Sequence, residues 1–92
     1  MNSGPFSRTA VIKNQRGLHA RAAAKFVKIA GDFEAEIMVS RSGQAVSGRS
    51  IMGLMMLAAA TGSEIRLDAE GVDAEMALDA ICALIDAKFD ED

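Results

Sequence analysis

Two stretches of this chain alternate apolar and polar residues with a period of two, and in each only one face is apolar. From Glu34 to Ser40, Ala35, Ile37 and Val39 share one side while Glu36, Met38 and Ser40 share the other. From Glu64 to Ala69, Ile65, Leu67 and Ala69 line up in the same way. That pattern belongs to strands covered on one face only. The cover must come from segments with helical spacing, and three are readable. Ala20 to Ala30 is rich in alanine, the best helix former. Its Ala23, Phe26, Val27 and Ala30 fall at the spacing of a buried helix face, Lys25 and Lys28 point away, and Gly31 is a stop. Ser50 precedes a short apolar run, Ile51 to Leu57, which Gly53 weakens. Asp73 caps a last helix with Glu75 in its first turn, and Ala77, Leu78, Ile81, Leu84, Ile85 and Lys88 trace one stripe.

The remaining segments complete the sheet. Phe6 to Lys13 reads as a first strand, with Ala10 and Ile12 inward and Arg8 and Thr9 nearer solvent. Ser42-Gly43 turns the chain into a short returning strand, Gln44 to Ser47. The order β-α-β-β-α-β-α predicts an α+β fold. It is an open-faced β-sandwich, a four-stranded, mainly antiparallel sheet with three helices on one face. Residues 1–92 make one domain. Residues 1–5 read as a disordered end, and Asp90-Glu91-Asp92 as a frayed, solvated tail.

Composition narrows the function. One cysteine, Cys82, rules out an internal disulfide, and its apolar helical setting suits a buried, inert thiol. One histidine and one cysteine do not make a metal site, and no nucleotide loop is present. No metal or cofactor is expected. The formal net charge of −3 and only four aromatic residues, all phenylalanine, argue against nucleic acid. No basic-then-apolar leader and no membrane-spanning stretch are seen, so a cytoplasmic location is expected. Lys and Arg gather in the first half and acidic residues in the last third. A positive region around His19, opposite an acidic final helix, suits a phosphate and an acidic protein partner.

His19 is the only histidine. A lone histidine is more often structural than chemical. Here the polar loop Asn14-Gln15-Arg16-Gly17 precedes it, a helix follows it, and Arg21 stands two residues on. A helix N-terminus has backbone N–H groups without intrahelical partners and favours an anion. A neutral imidazole is a nucleophile near physiological pH. Together these suit a phosphoryl group carried on the ring, with Arg21 neutralising it and Arg16 as a weaker contributor. Spacing alone leaves Arg21 equally readable as a solvated surface residue. Ser50 is readable as a plain helix cap or as a phosphorylation site, since a phosphate at a helix start is locally favourable. Its helix cannot bury Ile51, Met52, Leu54, Met55, Met56 and Leu57 at once, so it is either a core helix or a source of exposed contact surface.

The stretch Gly17-Leu18-His19-Ala20-Arg21-Ala22-Ala23-Ala24-Lys25-Phe26-Val27 resembles the active-site signature of the HPr family. These are the histidine-containing phosphocarriers of the bacterial phosphoenolpyruvate-dependent phosphotransferase system. Arg49-Ser50-Ile51-Met52-Gly53-Leu54-Met55-Met56-Leu57 resembles the same family's regulatory serine site. The likeness runs from about Thr9 to Phe89. It implies the same open-faced fold. It also implies that His19 accepts a phosphoryl group on Nδ1 from phosphorylated enzyme I and donates it to an enzyme IIA. The residues alone leave both ring nitrogens open. The resemblance further implies phosphate binding by Arg21 and by the backbone of Ala20 and Arg21. It implies regulatory phosphorylation of Ser50 by an HPr kinase/phosphorylase. Leu18, Ala20, Ile51, Met52 and Met55 are then the partner surface, with Leu54 and Leu57 inward. Such a protein is a carrier, not an enzyme, and a monomer is the simplest expectation. One position departs from the family pattern: Ala22 stands where proline is usual, which keeps a backbone N–H in the first turn. The alternative is a mainly regulatory binding protein, in nitrogen or carbon control, that acts through its phosphorylation state. Regulatory relatives of the family lack the histidine, and this chain retains it.

Overall fold

The alternating stretches form the centre of one sheet, and the helices cover its apolar side. The computed structural model describes residues 4–91. Strand β1 is Phe6–Val11, helix α1 Ala20–Ala30, β2 Glu36–Arg41, β3 Gln44–Ser47, α2 Ile51–Met56, β4 Glu64–Glu70 and α3 Ala74–Asp86; a short turn, Lys88–Asp90, follows. The strands run β1-β4-β2-β3 across the sheet. Every pairing is antiparallel, with Phe6 opposite Ala69, Ile37 opposite Ala69 and Val39 opposite both Leu67 and Val46. This is the expected α+β architecture. Its helices pack on the face carrying Ile37, Val39, Ile65, Leu67 and Ala69, all buried.

Local chemistry explains the joints. Ser42 and Gly43 both have positive φ, 52° and 82°, as the two central residues of a tight primed hairpin turn require. Ser50 caps α2 by accepting from the Gly53 N–H at 2.9 Å. Gly53 is more than a weak link. A β-carbon there would lie 3.0 Å from that of Val46, so glycine lets α2 approach β3 closely. Arg41 donates to the Leu57 carbonyl at 3.0 Å, placing a cation at the end of α2, where the helix dipole favours one.

Several expectations are corrected. Arg8 turns toward the helices, beside half-buried Phe6 and Ala10, because Asp79 of α3 pairs with it. Strand β1 ends at Val11, and Ile12 is buried just beyond it. Asp73 stands at the cap position of α3, but its side chain caps nothing. Its carboxylate instead accepts from the N–H groups of Glu34 and Ala35, both at 2.9 Å, and ties α3 to the start of β2. Val27 and Cys82 are half-buried rather than buried. Lys88 is exposed and leaves the α3 stripe, which Phe89 completes instead, fully buried. Of the expected disordered end, residues 1–3 lie outside the described residues; Gly4 and Pro5 are described and lead directly into β1. Of the tail, Asp92 lies outside them, while Asp90 and Glu91 are fixed in place rather than frayed.

Candidate functional site

His19 is held by a loop with little freedom. Asn14 donates its amide to the Gly17 carbonyl at 2.7 Å, and the Gly17 N–H returns to the Asn14 carbonyl at 3.1 Å. Gly17 has φ 71°, and a β-carbon there would sit 2.6 Å from the Ala59 carbonyl oxygen. Only glycine fits, because both the left-handed backbone and the neighbouring main chain exclude a side chain. Leu18 then donates to that Ala59 carbonyl at 2.9 Å. The segment after α2 is thereby locked against the loop before α1.

These contacts place His19 at the N-cap of α1 with extended backbone (φ −83°, ψ −177°) and no capping by its side chain. Its carbonyl accepts from Ala23 at 2.8 Å and starts the helix. The N–H groups of Ala20, Arg21 and Ala22, in the first turn, have no carbonyl four residues back inside the helix. The imidazole side chain is one-quarter exposed. Arg21, Arg16 and Lys25 line an open cleft of about 330 Å³ together with Gln15, Asp90 and Glu91. Among the described residues, neither Arg16 nor Arg21 has a hydrogen-bonding or ionic partner. Two free guanidiniums in this cleft can receive a dianion, and Arg16 also borders the groove that His19 lines.

Two acidic residues of the tail, Asp90 and Glu91, lie within this positive region. Glu91 Oε2 lies 2.6 Å from His19 Nε2, and Glu91 Oε1 accepts from Asn14 Nδ2 at 3.0 Å. Lys25, expected to point away into solvent, donates to the Phe89 carbonyl at 2.7 Å. Asn14, Lys25, Phe89 and Glu91 were not legible as site residues. The one available signal is Phe89, an aromatic four residues beyond Ile85 and just before the acidic tail.

The remaining predicted positions divide clearly. Ala20 is exposed. Leu18 is 5% exposed and belongs to the core, so its side chain is not surface for a partner. On α2, Leu54 and Leu57 are buried, while Ile51, Met52 and Met55 are exposed and Met56 joins them. The exposed methionines form one apolar face, and α2 runs into the Ala58–Ala60 segment that borders His19. Ser50 is half-exposed at the start of that face. Among the described residues no helix is long and apolar enough to cross a membrane, and no metal-binding cluster is present.

The Asn14 hydrogen bond, then His19 and Lys25, hold the Glu91 carboxyl below the usual carboxylate range against the opposing effect of burial. Ser7 and Arg66 do the same for Asp68. In the unfolded chain such groups titrate near about pH 4. Across that window the native protein binds fewer protons than the unfolded chain, so stability rises with pH. The stabilisation is complete above the unfolded value and disappears as pH falls through the lowered native one. Thermal unfolding followed by circular dichroism should show a falling midpoint on acidification below about pH 4. The fall should be shallower in Glu91→Gln.

The family described as the PTS HPr component phosphorylation site matches residues 6–87. The chain is 50% identical over 84 residues to the phosphocarrier protein NPr of Shewanella violacea, covering 91% of this chain and 92% of that protein. It is 48% identical over 84 residues to the phosphocarrier protein HPr of Cupriavidus necator, covering 91% and 94%. Its fold superposes on the crystal structure of HPr from Thermoanaerobacter tengcongensis with a TM-score of 0.90 at 44% identity, covering 95% of this chain and 98% of that one.

Proposed function

The chain belongs to the HPr family of phosphotransferase-system phosphocarriers, and from that premise we propose that His19 is the residue that carries the phosphoryl group. The observation that supports this most is the placement of the chain's one imidazole at the start of α1, where it lines a shallow groove with unpartnered Arg16. Phosphorylated enzyme I supplies the group and an enzyme IIA receives it, in the cytoplasm. The carrier contributes the acceptor nitrogen and the anion-binding groups; its partners contribute catalysis. The arginines and the first-turn N–H groups stabilise charge on the transferring group. The neighbouring Ile51, Met52, Met55 and Met56 face gives both partners a common apolar contact. Successive partners on one surface require short-lived complexes with small interfaces. The test is a two-stage transfer. Labelled phosphoenolpyruvate and enzyme I should place an acid-labile label on the protein, and added enzyme IIA should remove it. Failure to label in the presence of active enzyme I rejects the proposal.

Regulatory phosphorylation of Ser50 by an HPr kinase/phosphorylase belongs to the same proposal. It is supported by the half-exposed hydroxyl at the head of the apolar face. A phosphate there sits at a helix start and also places a dianion against the docking surface. Two variants separate the cap from the switch. Ser50→Ala loses the cap and about 1 kcal/mol of stability, with docking to enzyme I unchanged. Ser50→Asp keeps a good cap and adds a negative charge, so its stability holds while its affinity for enzyme I falls. Calorimetric unfolding and titration calorimetry measure the two effects, and equal affinities for both variants would remove Ser50 from the switch.

A further inference from the structure

A second exposed apolar patch lies where α3 begins. Strand β4 ends at Glu70, and the chain turns through Gly71 and Val72 into that helix. An apolar residue just ahead of a helix cap commonly packs back onto the first turn. Val72 holds that position and stays 62% exposed, and Met76, in the first turn, is 66% exposed. These values match those of Met52 and Met56 on α2, so the two side chains add nothing to the core. The patch is also remote from the phosphoryl site. Helix α3 is 13 residues long, which sets its ends about 20 Å apart. Its far end is the one beside His19, where Glu91 returns.

The surface around the patch is acidic. Glu70 precedes Val72 by two residues, and Glu75 adjoins Met76. Glu34 is brought alongside by Asp73, whose carboxylate holds the Glu34 and Ala35 N–H groups. Gly71 tightens the same contact, since a β-carbon there would lie 2.8 Å from the Ala35 Cα. Glu36 stands directly opposite Glu70 in the β2–β4 pairing, and like charges so placed destabilise a sheet. All four glutamates are exposed. Among the described residues none of their side chains has an ionic partner, whereas Asp68, Asp79 and Asp86 are paired with Arg66, Arg8 and Lys13. Of the cations at this end, Arg49 donates to the Phe33 and Ala35 carbonyls. Lys28 sits in the last turn of α1, where the helix dipole favours it.

We propose that this end of the molecule docks a second protein partner through a basic segment with an apolar side chain. The apolar side chain seats on Val72 and Met76, and the segment's lysines or arginines meet the surrounding glutamates. Exposed methionine adapts its shape to such a contact. The sign of the field selects a basic partner and steers its approach. The same field repels nucleic acid and anionic lipid surfaces. The His19 end has the reverse character, with Arg16, Arg21 and Lys25 lining its cleft. The two ends therefore take partners of opposite charge, and one molecule can hold both at once. A basic segment also relieves the repulsion between Glu36 and Glu70, which gives those two opposed charges a use in the complex. The proposal stands apart from the carrier reading of His19.

The probe is a synthetic amphipathic peptide with a leucine face and a lysine–arginine face, titrated into nitrogen-15-labelled protein and followed by NMR. Two control peptides keep half of its chemistry each: leucine with glutamate, and alanine with lysine and arginine. The probe should give saturable shifts at the amides of Glu34, Glu36, Val72, Glu75 and Met76, with His19 and α2 unmoved, and both controls should bind more weakly. Replacing Val72→Ser and Met76→Ser together should weaken the probe about tenfold, the loss of part of the area that two apolar side chains bury. Replacing Glu36→Gln and Glu70→Gln together should weaken it several-fold and raise the thermal midpoint, because the opposed like charges are gone. Thermal unfolding also checks that both pairs of substitutions keep the fold. Unlabelled enzyme I added to the complex should shift the α2 amides and leave the peptide in place. Shifts centred on α2 or on Asp90 and Glu91 would overturn the proposal. So would equal binding of either control, unchanged affinity in the serine variant, or displacement of the peptide by enzyme I.

Discussion

His19→Ala should take up no phosphoryl group from phosphorylated enzyme I and should keep its fold. The loss is complete because the chain has no other imidazole to accept the group. The fold survives because the side chain does no structural work at the helix start: it makes no cap, and the helix is begun by the His19 carbonyl, which alanine also has. The substitution removes the contact with Glu91, but Asn14 and the Phe89 anchor still hold the tail. Circular dichroism should therefore overlay on wild type, and the thermal midpoint should move little. Acid-labile labelling is the readout for uptake. Residual acid-labile label on the variant would place the acceptor elsewhere and remove the basis of the proposed function.

Phe89→Ala has the largest expected effect on stability. Phe89 is fully buried, and truncating a buried phenylalanine costs on the order of 3–5 kcal/mol. That is a large share of the roughly 5–15 kcal/mol that holds a native domain together. The ring also anchors three left-handed residues that nothing local favours. Without it the turn peels from α3, Lys25 loses its carbonyl acceptor, and Glu91 is no longer held at His19. Urea unfolding should show a much lower midpoint. Amide hydrogen exchange should show that the N–H groups of Asp90 and Glu91, which bond to Ala87 and Lys88 in the native turn, lose protection. Unchanged exchange at those two amides would show that the tail is fixed by something other than the buried ring.

The fold was legible because its signals are local. Period-two alternation gave β2 and β4, alanine and apolar spacing gave α1 to the residue, and a two-residue turn signal gave the β2–β3 hairpin. That α2 leaves part of its apolar surface exposed was also legible, since six apolar side chains cannot share one face of a short helix, but the inward leucines were implied only by the family resemblance. Parts of the site were legible for a similar reason. A histidine between a glycine-ended loop and a helix, with an arginine two residues on, is a short-range pattern.

What escaped was long-range. Arg8 reads as a solvent-facing strand residue until Asp79, seventy-one positions later, is placed beside it. Asp73 reads as a helix cap, yet the N–H groups of Glu34 and Ala35 claim its carboxylate. Glu91 reads as solvated charge in an acidic tail; it meets His19 only because a left-handed turn reverses the chain. Such turns have little signature when they are built from Lys, Phe and Asp rather than glycine. Leu18, a neighbour of His19 in sequence, is pulled into the core by the same loop that exposes the imidazole.

The measurement that bears most directly on the central claim is the position of the phosphoryl group after incubation with phosphoenolpyruvate and enzyme I. Protein labelled with nitrogen-15 in histidine contains a single pair of imidazole nitrogens, so phosphorus–nitrogen coupling in an NMR spectrum is assigned without ambiguity. The account predicts coupling to Nδ1 of His19. An acid-stable phosphate with no coupling to either nitrogen, or coupling to Nε2, would contradict it.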